Sequence, residues 1–315
     1  MSDSNLNYDQ NTLLHKTKSV TNKALDSGAL KPIHTTETNI HDAGVDFHIR
    51  MVSSLTRKEK DKKEKKITNQ GKDFNPFLPY EQELFVSNIT GSHLALLNKF
   101  NVIDYHLLIV TRQFENQEVL LTKKDFEALW MSMADFDGLG FYNGGVVAGA
   151  SQKHKHLQLI PIPQLYGSPK IPIEDLLNNV QVKNEISVCK EIPFVHSFVR
   201  FDFPPSITID EKTIQTQKYF RVMLGEVGLN YDYQDGDIQK GSYNLLITKD
   251  WMFLVPRTEE FFHSISVNAI GFAGALLVKN DEEMKLIQEL KPMKALAYRN
   301  LLMKFDIIII EVLYD

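Results

Sequence analysis

Cysteine is nearly absent from this chain: Cys189 is the single one in 315 residues. One thiol excludes an intrachain disulfide and a cysteine-built metal site, and it suits a reducing compartment. Its setting, Val188-Cys189-Lys190-Glu191, has no glycine-rich oxyanion turn, so inert packing is the expected role. An excess of positive charge is also missing. Lys and Arg number 35 against 40 Asp and Glu, and a net charge of −5 argues against a nucleic-acid partner. No apolar run approaches a membrane span: Ile307-Ile308-Ile309-Ile310 is bracketed by Asp306 and Glu311, and a buried terminal strand is expected there. The stretch Met1 to Asn7 lacks the basic and apolar regions of a secretory leader, so the expected location is the cytoplasm. Asp235-Gly236-Asp237-Ile238 lacks the ligand spacing of an EF-hand and reads as a turn.

What is present is a compound pattern. His154, His156 and Gln158 alternate in Lys153-His154-Lys155-His156-Leu157-Gln158-Leu159-Ile160, so an extended strand places them on one face while Leu157 and Leu159 anchor the other. Ahead of them runs Tyr142-Asn143-Gly144-Gly145-Val146-Val147-Ala148-Gly149-Ala150-Ser151-Gln152. Its glycines allow close backbone approach to an anion, with side-chain donors from Ser151 and Gln152. A largely neutral imidazole facing such a cradle has a lone pair for attack on phosphorus. Two other readings stay open. Histidines in H-x-H can begin a zinc site, although the third position here holds Gln158, a poor zinc ligand. They can also be satisfied core side chains.

Around the motif the chain reads as mixed helix and strand. A helix is expected from Asn11 to about Leu30, a half-buried strand over Val45 to Val52, and an exposed charged loop over Arg57 to Lys66. Antiparallel strands are expected at Leu84 to Val86, Leu94 to Leu97 and Tyr105 to Thr111, then a helix over Lys123 to Met133. Pro161 and Pro163 end the reactive strand. Another strand opens at Phe194 to Val199, loop is expected over Gly225 to Gly241, and Tyr243 to Ile247 with Trp251 to Val255 forms a hairpin. A helix over Glu282 to Leu290 is stopped by Pro292. Tyr231, Tyr233, Phe261, Phe262 and His263 could stack on a base, but core or edge packing is the commoner use of such aromatics.

At His154-Lys155-His156-Leu157-Gln158 the chain resembles the histidine triad superfamily, in the nucleotidyltransferase branch where H-x-H-x-Q replaces H-x-H-x-H. Phe74-Asn75-Pro76-Phe77, Leu97-Asn98-Lys99-Phe100, His106 to Arg112, the Asn143 loop, Ser242 to Leu246 and Asn268 to Gly274 extend the likeness, in order and spacing. Together they resemble the diadenosine tetraphosphate phosphorylase family, also called ATP adenylyltransferases.

The resemblance implies an α+β fold: a histidine-triad-like antiparallel sheet flanked by helices, with a C-terminal region completing the nucleotide site. It implies a catalytic region over 1–165, a linker over 166–192 and a C-terminal region over 193–315. It implies phosphorolysis of a dinucleoside polyphosphate to ATP and ADP, with His156 as the nucleophile, Gln158 on the α-phosphate and His154 in support. By the same likeness Lys58, Asn98, Lys99, Asn143, Gly149, Ala150, Ser151, Gln152, Asn268, Ala269, Ile270 and Lys279 contact substrate. Ala275 stands where methionine is frequent and loosens one side of the pocket, and Glu59 stands where proline usually follows Lys58. Mg²⁺ is expected only as a rider on the polyphosphate, with no dedicated metal site and no tightly bound cofactor. A hexose phosphate uridylyltransferase and a non-catalytic nucleotide binder are the alternatives. Lys155 stands where the former favour proline between the histidines.

Overall fold

The computed structural model describes residues 12–52, 74–134, 137–162, 170–229, 234 and 236–298. Lys58, the charged run around it, Tyr231, Tyr233 and the isoleucine run at 307–310 lie outside the described residues.

Thr12 opens α1 (Leu13–Asp26), its hydroxyl accepting the His15 N–H. Strands β1 (Thr35–Asp42) and β2 (Val45–Val52) form a hairpin. A meander follows: β3 (Phe85–Asn88), β4 (His93–Leu97) and β5 (Leu107–Thr111). Then come α2 (Lys123–Met133), β6 (Gly138–Gly144), a single 3-10 turn over Val146–Ala148, and β7 (His156–Pro161). The second half runs α3 (Glu174–Leu177), β8 (Ile186–Ser187), β9 (Ser197–Arg200), α4 (Ile209–Glu226), β10 (Ser242–Ile247) and β11 (Trp251–Arg257). It closes with β12 (Phe261–Phe262), β13 (Ile265–Ser266), α5 (Ala269–Ala273), β14 (Ala275–Val278), α6 (Asp281–Leu290) and α7 (Pro292–Ala297).

Nine strands make one antiparallel sheet in the order β3-β4-β5-β7-β6-β10-β11-β9-β8. Because β6 pairs with β10, the sheet passes without a break from residues before the 166–192 stretch to residues after it. A second sheet sets β14 parallel to β2 beside β1. Alternation sorts the core. Leu107, Ile109, Tyr142, Leu157, Leu159 and Leu245 face one way and pack with Leu13 of α1, Leu129 and Trp130 of α2, and Phe220 of α4. On the other side Leu139, Phe141, Ile160, Leu246 and Phe253 pack against Phe47, Ile49, Leu276 and Phe272. At the β4–β5 end of that face Leu94, Leu96, Leu108 and Val110 gather under Phe77.

Three elements differ from the sequence expectations for identifiable reasons. Tyr142 to Gly144, read as loop from its glycines, ends strand β6. Glycine suits the end of that strand because a Cβ on Gly144 would lie 2.9 Å from both the Gln239 Oε1 and the Tyr243 ring. Helix α4 went unread because Thr213 and Thr216 line its buried side along with Phe220, which blurs the apolar period; Thr216 accepts the Trp130 indole N–H at 2.9 Å. Pro292 does not simply stop a helix. Lys291 turns the chain at φ 73° and Pro292 begins α7, a position that costs no hydrogen bond.

Candidate active site

Partners across β7 place its polar residues between two apolar clusters. His156 pairs with Val110, and Gln158 pairs with Leu108 on one side and Phe141 on the other. Partners opposite one another share a face, so His156 and Gln158 lie on the Phe77 and Phe141 side of the sheet. The His156 Nδ1 lies 2.8 Å from the His154 carbonyl oxygen. A carbonyl only accepts, so Nδ1 carries the proton and Nε2 keeps its lone pair. The ring is buried and packs against Phe77 at 5.4 Å. Burial pushes its pKa down to about 4, with the nearby His154 adding to the effect and the His154 carbonyl opposing it.

Gln158 is oriented by a chain of hydrogen bonds whose direction is set at its far end. The Phe100 N–H donates to Asn98 Oδ1, which leaves the Asn98 amide as donor to His106 Nδ1 at 3.2 Å. His106 Nε2–H then donates to Gln158 Oε1 at 2.9 Å. The Gln158 carboxamide therefore has its N–H₂ to offer to an oxyanion. Burial holds His106 at about 4, against a raising contribution from Gln158, so the relay stays neutral near pH 7.

His154 plays a holding role. Its Nε2–H donates to the Thr111 carbonyl at 2.8 Å and lies 3.0 Å from the Thr111 hydroxyl, while its Nδ1 accepts from the Asn75 amide at 3.0 Å. Asn75 in turn accepts the Phe77 N–H at 2.9 Å, and this docks the Asn-Pro-Phe turn over both imidazoles. With both His154 nitrogens engaged, the shared-zinc reading loses its first ligand. Among the described residues no group of three His, Cys, Asp or Glu side chains is arranged for a metal ion.

Two glycines before the motif take a left-handed backbone, with protein atoms close to where a Cβ would stand. Gly145, at φ 96°, would set a Cβ 2.8 Å from the Ser242 hydroxyl, and Gly149, at φ 88°, would set one 2.8 Å from Asn268. Ser151 is exposed, whereas Gly149, Ala150 and Gln152 are half-buried. Asn143 is buried, and its Oδ1 accepts from Asn244 at 2.9 Å and from the Ala269 N–H at 3.0 Å. Asn244 also donates to the Ala148 carbonyl and accepts from Arg257. The expected C-terminal residues thus meet the expected loop: Asn268 caps α5, its Oδ1 accepting the Ile270 N–H, and Ala269 touches Asn143.

The other expected residues sit at or near strand ends. Lys99 follows β4 and pairs with Glu81. Ala275 is buried at the start of β14, where it pairs with His48 of β2. Lys279 follows β14, its N–H donating to Glu283. His106 takes an orienting role, although sequence reading placed it only within a strand.

Lys155 is also missed, because most lysines are solvated. This one is fully buried on the helix side of β7. Its Nζ donates to Asp125 at 2.8 Å, to the Leu120 carbonyl at 2.9 Å and to Glu115 at 3.3 Å. Burial by itself would raise the Asp125 pKa. The His93 N–H and the Lys155 charge outweigh it and hold this carboxyl well below the usual range.

Comparison with known proteins agrees with this geometry. The Ap4A (diadenosine tetraphosphate) phosphorylase N-terminal domain matches residues 3–179, and the ATP adenylyltransferase C-terminal domain matches residues 190–299. The chain is 29% identical to Protein APA1 of Saccharomyces cerevisiae, over 84% of this chain and 86% of that protein. It is 28% identical to diadenosine 5',5'''-P1,P4-tetraphosphate phosphorylase 2 of the same yeast, over 84% and 87% of the two chains. The crystal structure of yeast Ap4A phosphorylase Apa2 in complex with AMP superposes with a TM-score of 0.71 at 25% identity, covering 90% of this chain and 95% of the other. The same enzyme in complex with Ap4A gives a TM-score of 0.72 at 24% identity, over the same shares. With more than half its length inside the N-terminal domain and the C-terminal domain following in order, the chain belongs to the Ap4A phosphorylase family, the ATP adenylyltransferases.

Proposed function

We propose that this chain splits diadenosine tetraphosphate with inorganic phosphate into ATP and ADP, reversibly, by way of an adenylyl group carried on His156. The observation that carries the reading is the free Nε2 lone pair of a buried neutral imidazole whose other nitrogen is held by the His154 carbonyl, on the same strand face as an amide aimed by His106. The relatives support the substrate class: one is named a diadenosine tetraphosphate phosphorylase, and yeast Ap4A phosphorylase Apa2 is solved with Ap4A and with AMP.

In the first half Nε2 attacks one α-phosphorus, the bond to the bridging oxygen breaks, and its electron pair leaves with ATP. Positive charge then resides on the imidazole, where the His154 carbonyl stabilises Nδ1–H. In the second half a phosphate oxygen attacks the same phosphorus, the P–N bond breaks, ADP departs and the lone pair returns to Nε2. Gln158 donates to the phosphoryl oxygens in both halves. A divalent cation such as Mg²⁺ travels with the polyphosphate. Lys58, Lys99 and Lys279 are the lysines proposed to reach its negative charge.

The test is chromatographic. Incubation with Ap4A and phosphate is expected to yield ATP and ADP in equal amounts, and omission of phosphate to leave an adenylyl group located on His156 by mass spectrometry. AMP found on another residue overturns the assignment.

Two further outcomes follow from the geometry. Gln158→Ala removes one aimed donor and is expected to slow adenylyl transfer by about 10²–10³-fold. Its label stays detectable, and a rate within a few fold of native speaks against the donor role. Because His156 is held neutral down to about 4, adenylyl transfer is expected to stay level as pH falls from 7 toward 5, with its acid limb near 4. An acid limb at the ordinary histidine value would show a solvated ring. The same burial affects stability: the unfolded chain takes up protons on these histidines below about 6.5 while the folded chain resists until about 4. Stability is therefore lost as pH drops through that window.

A further inference from the structure

We infer that the Gln117 carboxamide is an inserted rung that opens the sheet at the nucleophile and fixes where His156 stands. The β6–β7 ladder runs from Gly138 opposite Pro161 to Phe141 opposite Gln158. Continuing that register would set Asn143 opposite His156 and pair their backbones directly.

They do not pair. The His156 N–H donates to Gln117 Oε1 at 2.9 Å, and Gln117 Nε2 donates to the Asn143 carbonyl at 3.0 Å and to the His156 carbonyl at 3.3 Å. A planar group with one acceptor and two donors thus stands in the place of a peptide unit. Its orientation is fixed, since an N–H only donates and a carbonyl only accepts. Gln117 is 2% exposed, so its three bonds are made without competition from water.

The backbone of residue 117 is itself anchored. Its N–H donates to the Lys153 carbonyl at 2.7 Å and its carbonyl accepts the Tyr142 hydroxyl. Two residues earlier, the Glu115 carbonyl accepts the Lys155 N–H at 2.8 Å. Beyond Phe141, then, β6 stays with β10 up to Gly144, while the chain from Lys153 to His156 is held by residues 115–117. The two strands part by the width of an amide. The separation lies between Asn143 and His156 and is filled by the Gln117 carboxamide. Gln117 is a positioning residue: it touches the nucleophile's backbone and not the reacting atoms.

This inference rests on His156 as nucleophile, and the experiment separates the two. Adenylyl transfer to His156 is followed in a single turnover with Ap4A and no phosphate, for native protein, Gln117→Met and Gln117→Glu, each rate taken per folded molecule. Met keeps the length and removes the three bonds; the expected rate is about 100-fold lower with KM for Ap4A within about threefold, because misplacement of a reacting group costs rate more than binding. Glu keeps an acceptor for the His156 N–H but sets a negative charge beside the imidazole, so the acid limb of the rate is expected to move up. Loss of fold alone leaves that limb in place, because each rate is taken per folded molecule. A Met variant reacting at the native rate, or a Glu variant with an unmoved limb, overturns the inference while native label on His156 keeps the proposed function standing. Native protein without label on His156 overturns both.

Discussion

Replacing His156 with alanine is expected to lower Ap4A phosphorolysis by roughly 10⁶-fold, the scale on which removal of a covalent nucleophile acts. No neighbour can take its place on that face. His154 has both ring nitrogens committed to Thr111 and Asn75, and Lys155 points to the opposite side of the strand, where Asp125 and Glu115 hold it. The loss of turnover is chemical: truncating the ring removes a hydrogen bond of about 1 kcal/mol and its packing on Phe77, which lowers stability, while the rate falls because the nucleophile is gone. Nucleotide binding is therefore expected to persist in this variant. Labelled adenylate attached to His156→Ala protein would sink the assignment.

The second large effect is on stability. Lys155→Met is expected to lower the unfolding free energy by about 3–5 kcal/mol, read as a drop in the denaturant midpoint. The reason lies in what remains: Asp125 is 1% exposed, and with the ammonium gone its carboxylate keeps only the His93 and Thr122 donors. Asp125→Asn leaves the ammonium with Glu115 and the Leu120 carbonyl as partners and is expected to cost less. The double variant is expected to cost less than the two single changes together, because neither charge is then left alone. Additive losses would show that the ion pair is not the coupling. Since this pair ties β7 to α2 directly behind the histidines, both single variants should also lose activity in step with the folded fraction.

Much of this was legible before any coordinates. The period-two alternation over His154 to Ile160 located the reacting strand, and the capped apolar repeat from Lys123 to Met133 located α2 at its observed bounds. The hairpin around Thr248 to Asp250 was equally plain. The sites that escaped are those where one residue serves two purposes. The glycines at 145 and 149 have the composition of an anion loop, and the close contacts with Ser242 and Asn268 that also call for glycine lie far along the chain, where no local pattern displays them. Strand β1 escaped because only its pairing with β2 reveals it: seven of its eight residues are polar, and none is buried.

Local chemistry in the chain determined which strand carries the H-x-H-x-Q motif and to which family the chain belongs, because alternation, residue type and motif order are properties of neighbours in sequence. Only the tertiary structure decided which nitrogen of His156 is free, which way the Gln158 amide faces, and that Lys155 is buried. Those outcomes depend on hydrogen-bond partners contributed by His106, Asn98, Gln117 and Asp125. A donor and its acceptor this far apart along the chain have no spacing that a sequence can display; their meeting is a consequence of how the strands pair and the helices cover them.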